Sequence, residues 1–247
     1  MENNFIDINC DVGEGIGNEE KLFPFISSCN IACGGHAGDE DIMKKIVVLA
    51  NKYQVKVGAH PSYPDKENFG RVSLTLPPSL LKATILEQVA KLIPILEEEG
   101  MILHHIKAHG ALYNDVAKDK ALAMVFLDAV EQYKTGTFIY VPFGSILEIE
   151  AKRRGFKIKL EAFGDRNYNL DFTLVSRNKP NAVIHDPASV LGHIIGMVKN
   201  NSVKTMEGEK LKINAETYCI HGDTPTALQI LAYLSEELPN NQIYIKK

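Results

Sequence analysis

Short apolar runs alternate along the chain with longer segments in which apolar residues recur every three or four positions. The short runs are typical of buried strands and the longer segments of amphipathic helices. Seven strands are predicted in this way, at residues 5–10, 30–33, 56–59, 102–107, 137–141, 157–163 and 216–220. Strands that alternate with helices predict a parallel sheet with the helices packed outside it.

Start and stop residues delimit the predicted helices. Asp39 is a predicted N-cap, because it precedes apolar residues at helical spacing between Ile42 and Ala50. A long helix is predicted from Ser79 to Gly100, and Pro94 is expected to kink or shorten it. Further helices are predicted after residue 121 and to start at Ser145, Asp186 and Pro225, with a hairpin at residues 203–213.

Two architectures accommodate this alternation, a distorted barrel and an open doubly wound sheet. No G-x-G-x-x-G sequence follows the first strand, and ionisable residues follow many different strands. Since side chains from so many strand ends converge only in a closed ring, we predict a barrel. The prediction is an α/β protein with one domain, residues 1–247, folded as a distorted seven-stranded β/α barrel resembling a TIM barrel.

Ionisable residues at the predicted strand ends are the candidate chemistry. They are Asp11, Glu14, His36, Asp39, His60, Lys107, His109, Asp165, Arg166, His221 and Asp223. Judged singly, each acid is as well explained as a helix cap. Four of the eight histidines, however, lie just past a strand and beside Gly or Pro, which favours a functional cluster. His104, His105 and His193 are assigned to packing or to the surface.

Such a cluster supports two kinds of hydrolytic chemistry, and the residues leave both open. In one, Asp11 with His36, His60 and His109 holds a divalent metal that activates water. In the other, Asp11 is a general base while histidines and Lys107 stabilise an oxyanion. The sequence contains neither a G-x-x-x-x-G-K-[ST] phosphate loop nor a G-x-S-x-G nucleophile elbow.

Composition argues against several other classes of protein. The net charge of -4 gives no electrostatic reason to expect a nucleic acid or an anionic membrane as partner. No signal peptide and no apolar run long enough to cross a membrane is recognised. The four cysteines have no zinc-site spacing, so reduced thiols in a cytoplasmic protein are expected.

Six segments, in order along the chain, resemble the LamB/YcsF family. They are residues 7–15, 30–39, 58–71, 107–114, 161–177 and 219–225. The chain departs from the family pattern at Ala108, where proline is usual, and at Gly164, where alanine is usual. Residues 170–172 also replace an Asp-Gly pair, which bears on the shape of a substrate loop.

The resemblance implies a barrel of the glycoside hydrolase/deacetylase type that opens 5-oxoproline to glutamate with ATP hydrolysis, together with partner subunits B and C. ATP is then a co-substrate whose site is shared with those partners. The residues leave open whether a divalent metal is also a cofactor. The expected catalytic residues are Asp11, Glu14, His36, His60, Lys107 and His109. Expected to bind substrate or phosphate are Asp39, Arg71, Asp165, Arg166, His221 and Asp223.

Two alternatives compete with this interpretation. One is a stand-alone metal-dependent deacetylase or amidohydrolase that acts on a small N-acyl or carbohydrate substrate. The other is a binding or chaperone-like protein without catalysis. The concentration of ionisable groups at strand ends argues against the second, because an interaction module would more plausibly expose an apolar patch.

Overall fold

The computed structural model describes residues 3–247. Its strands are, in chain order, β1 (Asn4–Val12), β2 (Ser28–Ala32), β3 (Lys56–His60), β4 (His105–Ile106), β5 (Phe138–Pro142), β6 (Lys157–Phe163), β7 (Ser202–Lys204), β8 (Lys210–Lys212), β9 (Thr217–Cys219) and β10 (Ile243–Ile245). Strands β1 to β6 pair in parallel with their neighbours, β6 pairs with β9, and β9 pairs back with β1. These pairings close a seven-stranded ring, so the predicted β/α barrel is confirmed.

Eight α-helices connect or cover these strands in the described chain. They are α1 (Glu19–Leu22), α2 (Glu40–Tyr53), α3 (Pro78–Glu98), α4 (Gly110–Lys118), α5 (Lys120–Val130), α6 (Ile146–Arg153), α7 (Pro187–Asn200) and α8 (Ala227–Glu237). The predicted N-caps Asp39, Ser145 and Asp186 are confirmed, since each side chain accepts a hydrogen bond from a first-turn backbone N–H. None of the helices in residues 3–247 is long and apolar enough to cross a membrane.

Several predicted boundaries differ from the structure. Strand β1 continues to Val12, so Asp11 lies inside the strand rather than beyond it. Strand β4 is reduced to His105–Ile106. His104, just before it, still bonds to the backbone of Val57 and Phe138 on the neighbouring strands, whereas Ile102 is exposed. The hairpin is formed by β7 and β8, which are antiparallel, and β10, which was not predicted, pairs with the start of β1.

The helices differ from the predictions in two places. Pro94 does not shorten α3, which continues to Glu98. The ring removes the hydrogen bond to the carbonyl of Ala90, but Ala90 and Pro94 are both on the exposed face of the helix, where a lost bond costs less than in the core. The helix predicted after β4 is preceded by another helix, α4, which was missed. Asp119 separates α4 from α5 and caps α5 through its side chain.

The interior of the barrel is polar, whereas the apolar core lies between the sheet and the helices. The amide nitrogen of Asn9 on β1 donates across the barrel to Glu161 on β6, at 3.0 Å, and to Thr217 on β9, at 2.8 Å. The alternate residues Ile6 and Ile8 belong to the apolar core. TIM barrels usually fill this space with branched apolar side chains, so the polar filling calls for a functional explanation.

Candidate active site

A cavity of about 410 Å³ opens at the carboxyl ends of the barrel strands. This is the end where β/α barrels place their active sites. Most of the predicted site residues line the cavity, namely Asp11, Glu14, His60, Arg71, Lys107, His109, Arg166, His221 and Asp223. The other three are not among the lining residues: His36 and Asp165 are buried behind the cavity wall, and Asp39 is exposed and caps α2.

One oxygen of the Asp11 carboxylate, Oδ1, makes the contacts that hold this side chain. Its Oδ1 accepts from the side-chain amide of Asn30 at 2.7 Å and from Lys107 Nζ at 3.1 Å, and it lies 3.4 Å from His60 Nε2. Burial disfavours the charged carboxylate, but the attraction of His60 and Lys107 outweighs it and holds the pKa of Asp11 well below its usual value. Asp11 is therefore a stable anion and a weak base.

Lys107 is a buried ammonium that bridges two carboxylates. Its Nζ lies 3.1 Å from Asp11 and 2.9 Å from Glu161, and 3.2 Å from Cys219 Sγ. Burial favours the neutral amine, yet the attraction of Asp11, Cys219 and Glu161 raises the pKa of Lys107 well above its usual value. Sequence reasoning did not assign Glu161 to the site. Its signals were a charge between the apolar residues of β6 and its place at the start of the family-like segment 161–177.

Backbone carbonyls fix the tautomers of two histidines in the cavity wall. His60 Nδ1 donates to the carbonyl of Lys107 at 2.8 Å, and His109 Nε2 donates to the carbonyl of Phe69 at 3.0 Å. Because a carbonyl only accepts, these nitrogens carry the protons. The other nitrogens, His60 Nε2 and His109 Nδ1, lie 3.0 Å apart. Phe69 is held at φ 55°, a conformation that non-glycine residues rarely adopt.

Glu14 lies against these rings. Its Oε1 is 3.0 Å from His36 Nε2 and 3.4 Å from His109 Nδ1. Burial, followed by repulsion from Asp11, raises the pKa of Glu14 to about 7. The ring of His36 stacks on that of His109 with centroids 3.5 Å apart, and burial lowers the pKa of His36 to about 3.

Four side chains converge closely enough to hold a metal ion: Asp11, Glu14, His60 and His109 each offer one ligand atom, and these atoms all lie within 4.8 Å of one another. The predicted metal set contained His36 in place of Glu14. The structure places His36 outside this group, where it bonds to Glu14 instead.

His221 forms a second acid–base unit with Asp165. The imidazole Nδ1 lies 2.9 and 3.0 Å from the two carboxylate oxygens, and the backbone N–H of His221 donates to the same carboxylate at 2.9 Å. Burial opposes ionisation of Asp165, but His221 outweighs it and lowers the pKa of Asp165. The carboxylate accepts the Nδ1 proton, so the Nε2 lone pair of His221 is available to the cavity it lines.

Cationic side chains surround the cavity. Arg71 NH2 lies 2.7 Å from Asp223 Oδ2, and Arg177 lies 3.8 Å from the same oxygen. Arg166 is largely committed to the loop that follows β6, donating to the carbonyls of Val175 and Ala182. Arg177 and Lys118 also line the cavity and were not among the predicted site residues. Lys118 gave no signal, because it ends the helix α4 that the sequence did not reveal.

The segments that depart from the family pattern are explained in part. A β-carbon on Gly164 would meet Ile220 Cδ1 at 2.7 Å and Ile194 Cδ1 at 3.0 Å, so these two side chains would have to shift to admit an alanine there. Phe172, at φ 65°, packs against Phe143 and borders a second cavity of about 210 Å³. The two cavities share lining residues, including Tyr113 and Lys118.

A closed β/α barrel with buried acid–base groups at the carboxyl ends of its strands defines a barrel enzyme. The chain belongs to the LamB/YcsF family, whose model matches residues 6–247. A protein of Thermococcus sibiricus described as a 5-oxoprolinase subunit is 43% identical over 246 residues, covering 97% of this chain and 96% of the relative. A protein of Shouchella clausii with the same description is 41% identical over 248 residues, covering 98% of each chain.

A solved structure shows the same fold. The lactam utilization protein from Thermus thermophilus superposes with a TM-score of 0.91 at 34% identity, covering 100% of this chain and 99% of that one. The architecture built from the strand pairings is therefore that of an experimentally determined relative.

Proposed function

We propose that this chain is the barrel component of an ATP-dependent 5-oxoprolinase and opens the lactam ring of 5-oxoproline to give glutamate. The descriptions of the relatives support this activity, and because those descriptions name one subunit of an enzyme, they also support partner subunits, B and C in our proposal. The observation that carries the proposal is the pairing of an oriented base, His221 on Asp165, with a fixed Asp11–Lys107 pair in one cavity.

The need for ATP follows from the substrate. An unstrained lactam is a resonance-stabilised amide, and its carbonyl is a poor electrophile. Transfer of the terminal phosphoryl group of ATP to the lactam oxygen gives an imidate-like phosphate ester and ADP. Water then adds to the activated carbon and the ring C–N bond breaks, which leaves an acyl phosphate and a free amine. A second water cleaves the acyl phosphate to glutamate and inorganic phosphate. The net reaction consumes one lactam, one ATP and two water molecules, and forms glutamate, ADP and phosphate.

His221 is the residue that we assign as general base toward water. Asp11 is a weaker candidate than the sequence suggested, since the attraction of His60 and Lys107 holds its pKa low. The imidazole of His221 is oriented by Asp165 through Nδ1, which leaves Nε2 to accept a proton. The ammonium of Lys107 supplies fixed positive charge where negative charge develops on the reacting oxygens.

The cationic rim accounts for recognition of anionic groups. The substrate carries a carboxylate and ATP carries phosphates, both of which pair well with guanidinium groups. Arg71 and Arg177 share one carboxylate, Asp223, so an incoming anion can compete for them without leaving that acid unpaired. A cavity of about 410 Å³ lies within the range of roughly 300 to 1,000 Å³ typical of drug-sized ligands, more than a small lactam requires.

The test is production of glutamate and ADP that depends on 5-oxoproline, measured with this chain alone and mixed with its candidate partner subunits. We expect turnover only in the mixture, and a loss of about 10²- to 10⁴-fold in kcat for His221→Gln. His185→Gln is the matched control, because His185 is exposed and outside the cavity. Full turnover by the mixture with His221→Gln would refute the base assignment. ATP-independent hydrolysis by the chain alone would instead favour the stand-alone hydrolase.

A further inference from the structure

Two ring nitrogens face each other in the cavity wall, and neither carries a proton when both rings are neutral. The carbonyls of Lys107 and Phe69 take the protons of His60 Nδ1 and His109 Nε2. In neutral rings, the 3.0 Å contact between His60 Nε2 and His109 Nδ1 therefore brings two lone pairs together. Such a contact is repulsive unless a positive species lies beside it. A proton or a metal ion can fill that role.

The surrounding acceptors favour a metal ion. Asp11 Oδ1 lies 3.4 Å from His60 Nε2, and Glu14 Oε1 lies 3.4 Å from His109 Nδ1. Three of the six distances among these four atoms are 3.0 to 3.4 Å, close to the edge of about 3.3 Å in a tetrahedron whose ligands lie about 2.0 to 2.1 Å from the metal, and the other three are below 4.8 Å. A single proton would satisfy one pair of these atoms, whereas a metal ion would satisfy all four.

We infer that Asp11, Glu14, His60 and His109 bind one divalent metal ion. Two imidazoles and two carboxylates suit Zn²⁺, Co²⁺, Mn²⁺ or Fe²⁺ better than Mg²⁺ or Ca²⁺, which prefer oxygen ligands alone. The inference concerns binding, and it holds whether or not the proposed lactam reaction is correct.

The groups behind the ligands are those that metal sites require. Histidines that bind metals donate their other N–H to a carbonyl or carboxylate, which fixes the ring and its tautomer. His60 and His109 both do so. Glu14 is oriented in turn by His36, at 3.0 Å, and Asp11 is oriented by Asn30, at 2.7 Å. The left-handed conformation of Phe69 places the carbonyl on His109, and such local strain is typical of functional sites.

The charges of the buried cluster also match a divalent cation. The carboxylates of Asp11, Glu14 and Glu161 are opposed by the single ammonium of Lys107. Three carboxylates against one ammonium leave acidic groups in excess in a region largely shielded from solvent, and a divalent cation would offset that excess. A second group of ligand atoms, on Asp11, Cys219 and His221, is less suitable because Lys107 Nζ lies 3.2 Å from the sulfur.

The experiment titrates Co²⁺ into the full chain after treatment with a chelator, using calorimetry and the visible absorption of bound cobalt. We expect one Co²⁺ per chain, and at least a 100-fold weaker affinity for His60→Gln, His109→Gln and Glu14→Gln. His36→Gln, which changes the bond to Glu14 and removes the ring stacked on His109, should weaken binding about 10- to 100-fold. His185→Gln is the matched control, because His185 is exposed, and it should bind as the parent does.

Folding is checked for each variant by circular dichroism and by urea unfolding, so that weaker binding can be attributed to the lost ligand and not to unfolding. Two results would overturn the inference. One is cobalt binding unchanged in the folded His60→Gln and His109→Gln variants. The other is no binding at 1 mM Co²⁺, because a Kd of about 1 mM already corresponds to a binding free energy of only about 4 kcal/mol. In that case a proton shared by His60 Nε2 and His109 Nδ1 replaces the metal ion, and ¹⁵N NMR of the imidazoles would detect it. Turnover by metal-free protein would leave the proposed function standing, and metal binding without turnover would leave this inference standing.

Discussion

The imidazole ring of His105 on β4 fills the space that a β-carbon of Gly58 on β3 would occupy. His105 Nε2 donates to Asn30 Oδ1 at 2.6 Å, which forces the amide nitrogen of Asn30 toward Asp11 at 2.7 Å. The ring also stacks on Tyr140 with centroids 3.9 Å apart. His105 was assigned to packing or the surface from the sequence. It is packed, but it also orients the amide that holds Asp11.

Gly58→Ala should therefore disturb the site from a distance. The added methyl group must displace the ring of His105, which we expect to lower the free energy of unfolding by about 1 to 3 kcal/mol. Turnover of the assembled enzyme should fall about 10-fold as Asn30 loses its fixed orientation. Gly192→Ala is the matched control: its β-carbon would meet open space in α7, and helix propensity predicts a gain of about 0.5 to 1 kcal/mol. Equal behaviour of the two variants in urea unfolding and turnover would contradict this role of Gly58.

The Lys107–Glu161 ion pair gives a second prediction. Lys107→Met leaves both Asp11 and Glu161 without their shared ammonium, and we expect a loss of about 3 to 5 kcal/mol in the free energy of unfolding. Adding Glu161→Gln removes one of the two uncompensated charges, so the double variant should recover part of that loss.

The two single variants and the double variant form a mutant cycle measured by urea unfolding. The expected coupling energy is about 1 to 3 kcal/mol, within the range for residues in direct contact. If the effects of the single variants simply add, the pair is not the stabilising contact that its 2.9 Å distance indicates.

The sequence predicted the ring of strands but not what fills it. In β1 the alternation of Ile6 and Ile8 with Asp7 and Asn9 showed that the two faces differ. It did not show that the polar face is the inner one, because both faces are buried. Helix α4 was missed for a related reason: it begins directly at His109, so the strand-end signal concealed the helix start.

The proposed metal ligands show a second limit of prediction from the sequence. Spacing placed His36 beside the other histidines, and the structure does bring it there, stacked on His109. Which ring nitrogens are free, however, depends on the carbonyls of Phe69 and Lys107. Those contacts are made by the backbone and are set by loop conformation, which residue types do not encode. Glu14 therefore replaces His36 in the converging set only once the fold is known.

A variant of Asp39 can show whether this residue caps helix α2 or binds substrate. Its Oδ1 accepts from the backbone N–H of Ile42 at 2.9 Å, and the residue does not line the cavity. We expect Asp39→Ala to lower the free energy of unfolding by about 1 kcal/mol while KM for 5-oxoproline stays unchanged. Asp119→Ala is the matched control, because Asp119 caps α5 with the same 2.9 Å geometry. A rise in KM with Asp39→Ala alone would restore the predicted role in binding substrate.

His193 should make the protein sensitive to mild acid. Burial lowers the pKa of His193 to about 4, whereas in the unfolded chain it is about 6.5. Between these values the unfolded state binds more protons, so the free energy of unfolding falls as the pH falls from 6.5 toward 4. For this one residue the loss at pH 5 relative to neutral pH is about 2 kcal/mol.

His193→Gln should remove that contribution. In urea unfolding at neutral pH and at about pH 5, the difference between the two free energies should shrink by about 2 kcal/mol in this variant. His185→Gln, at an exposed position, should retain the pH dependence of the parent. The other buried histidines remain in both variants and contribute equally, so the comparison isolates His193. If both variants show the parental pH dependence, His193 either stays protonated in the folded protein or gains access to water, and its packing against Tyr168 does not exclude solvent.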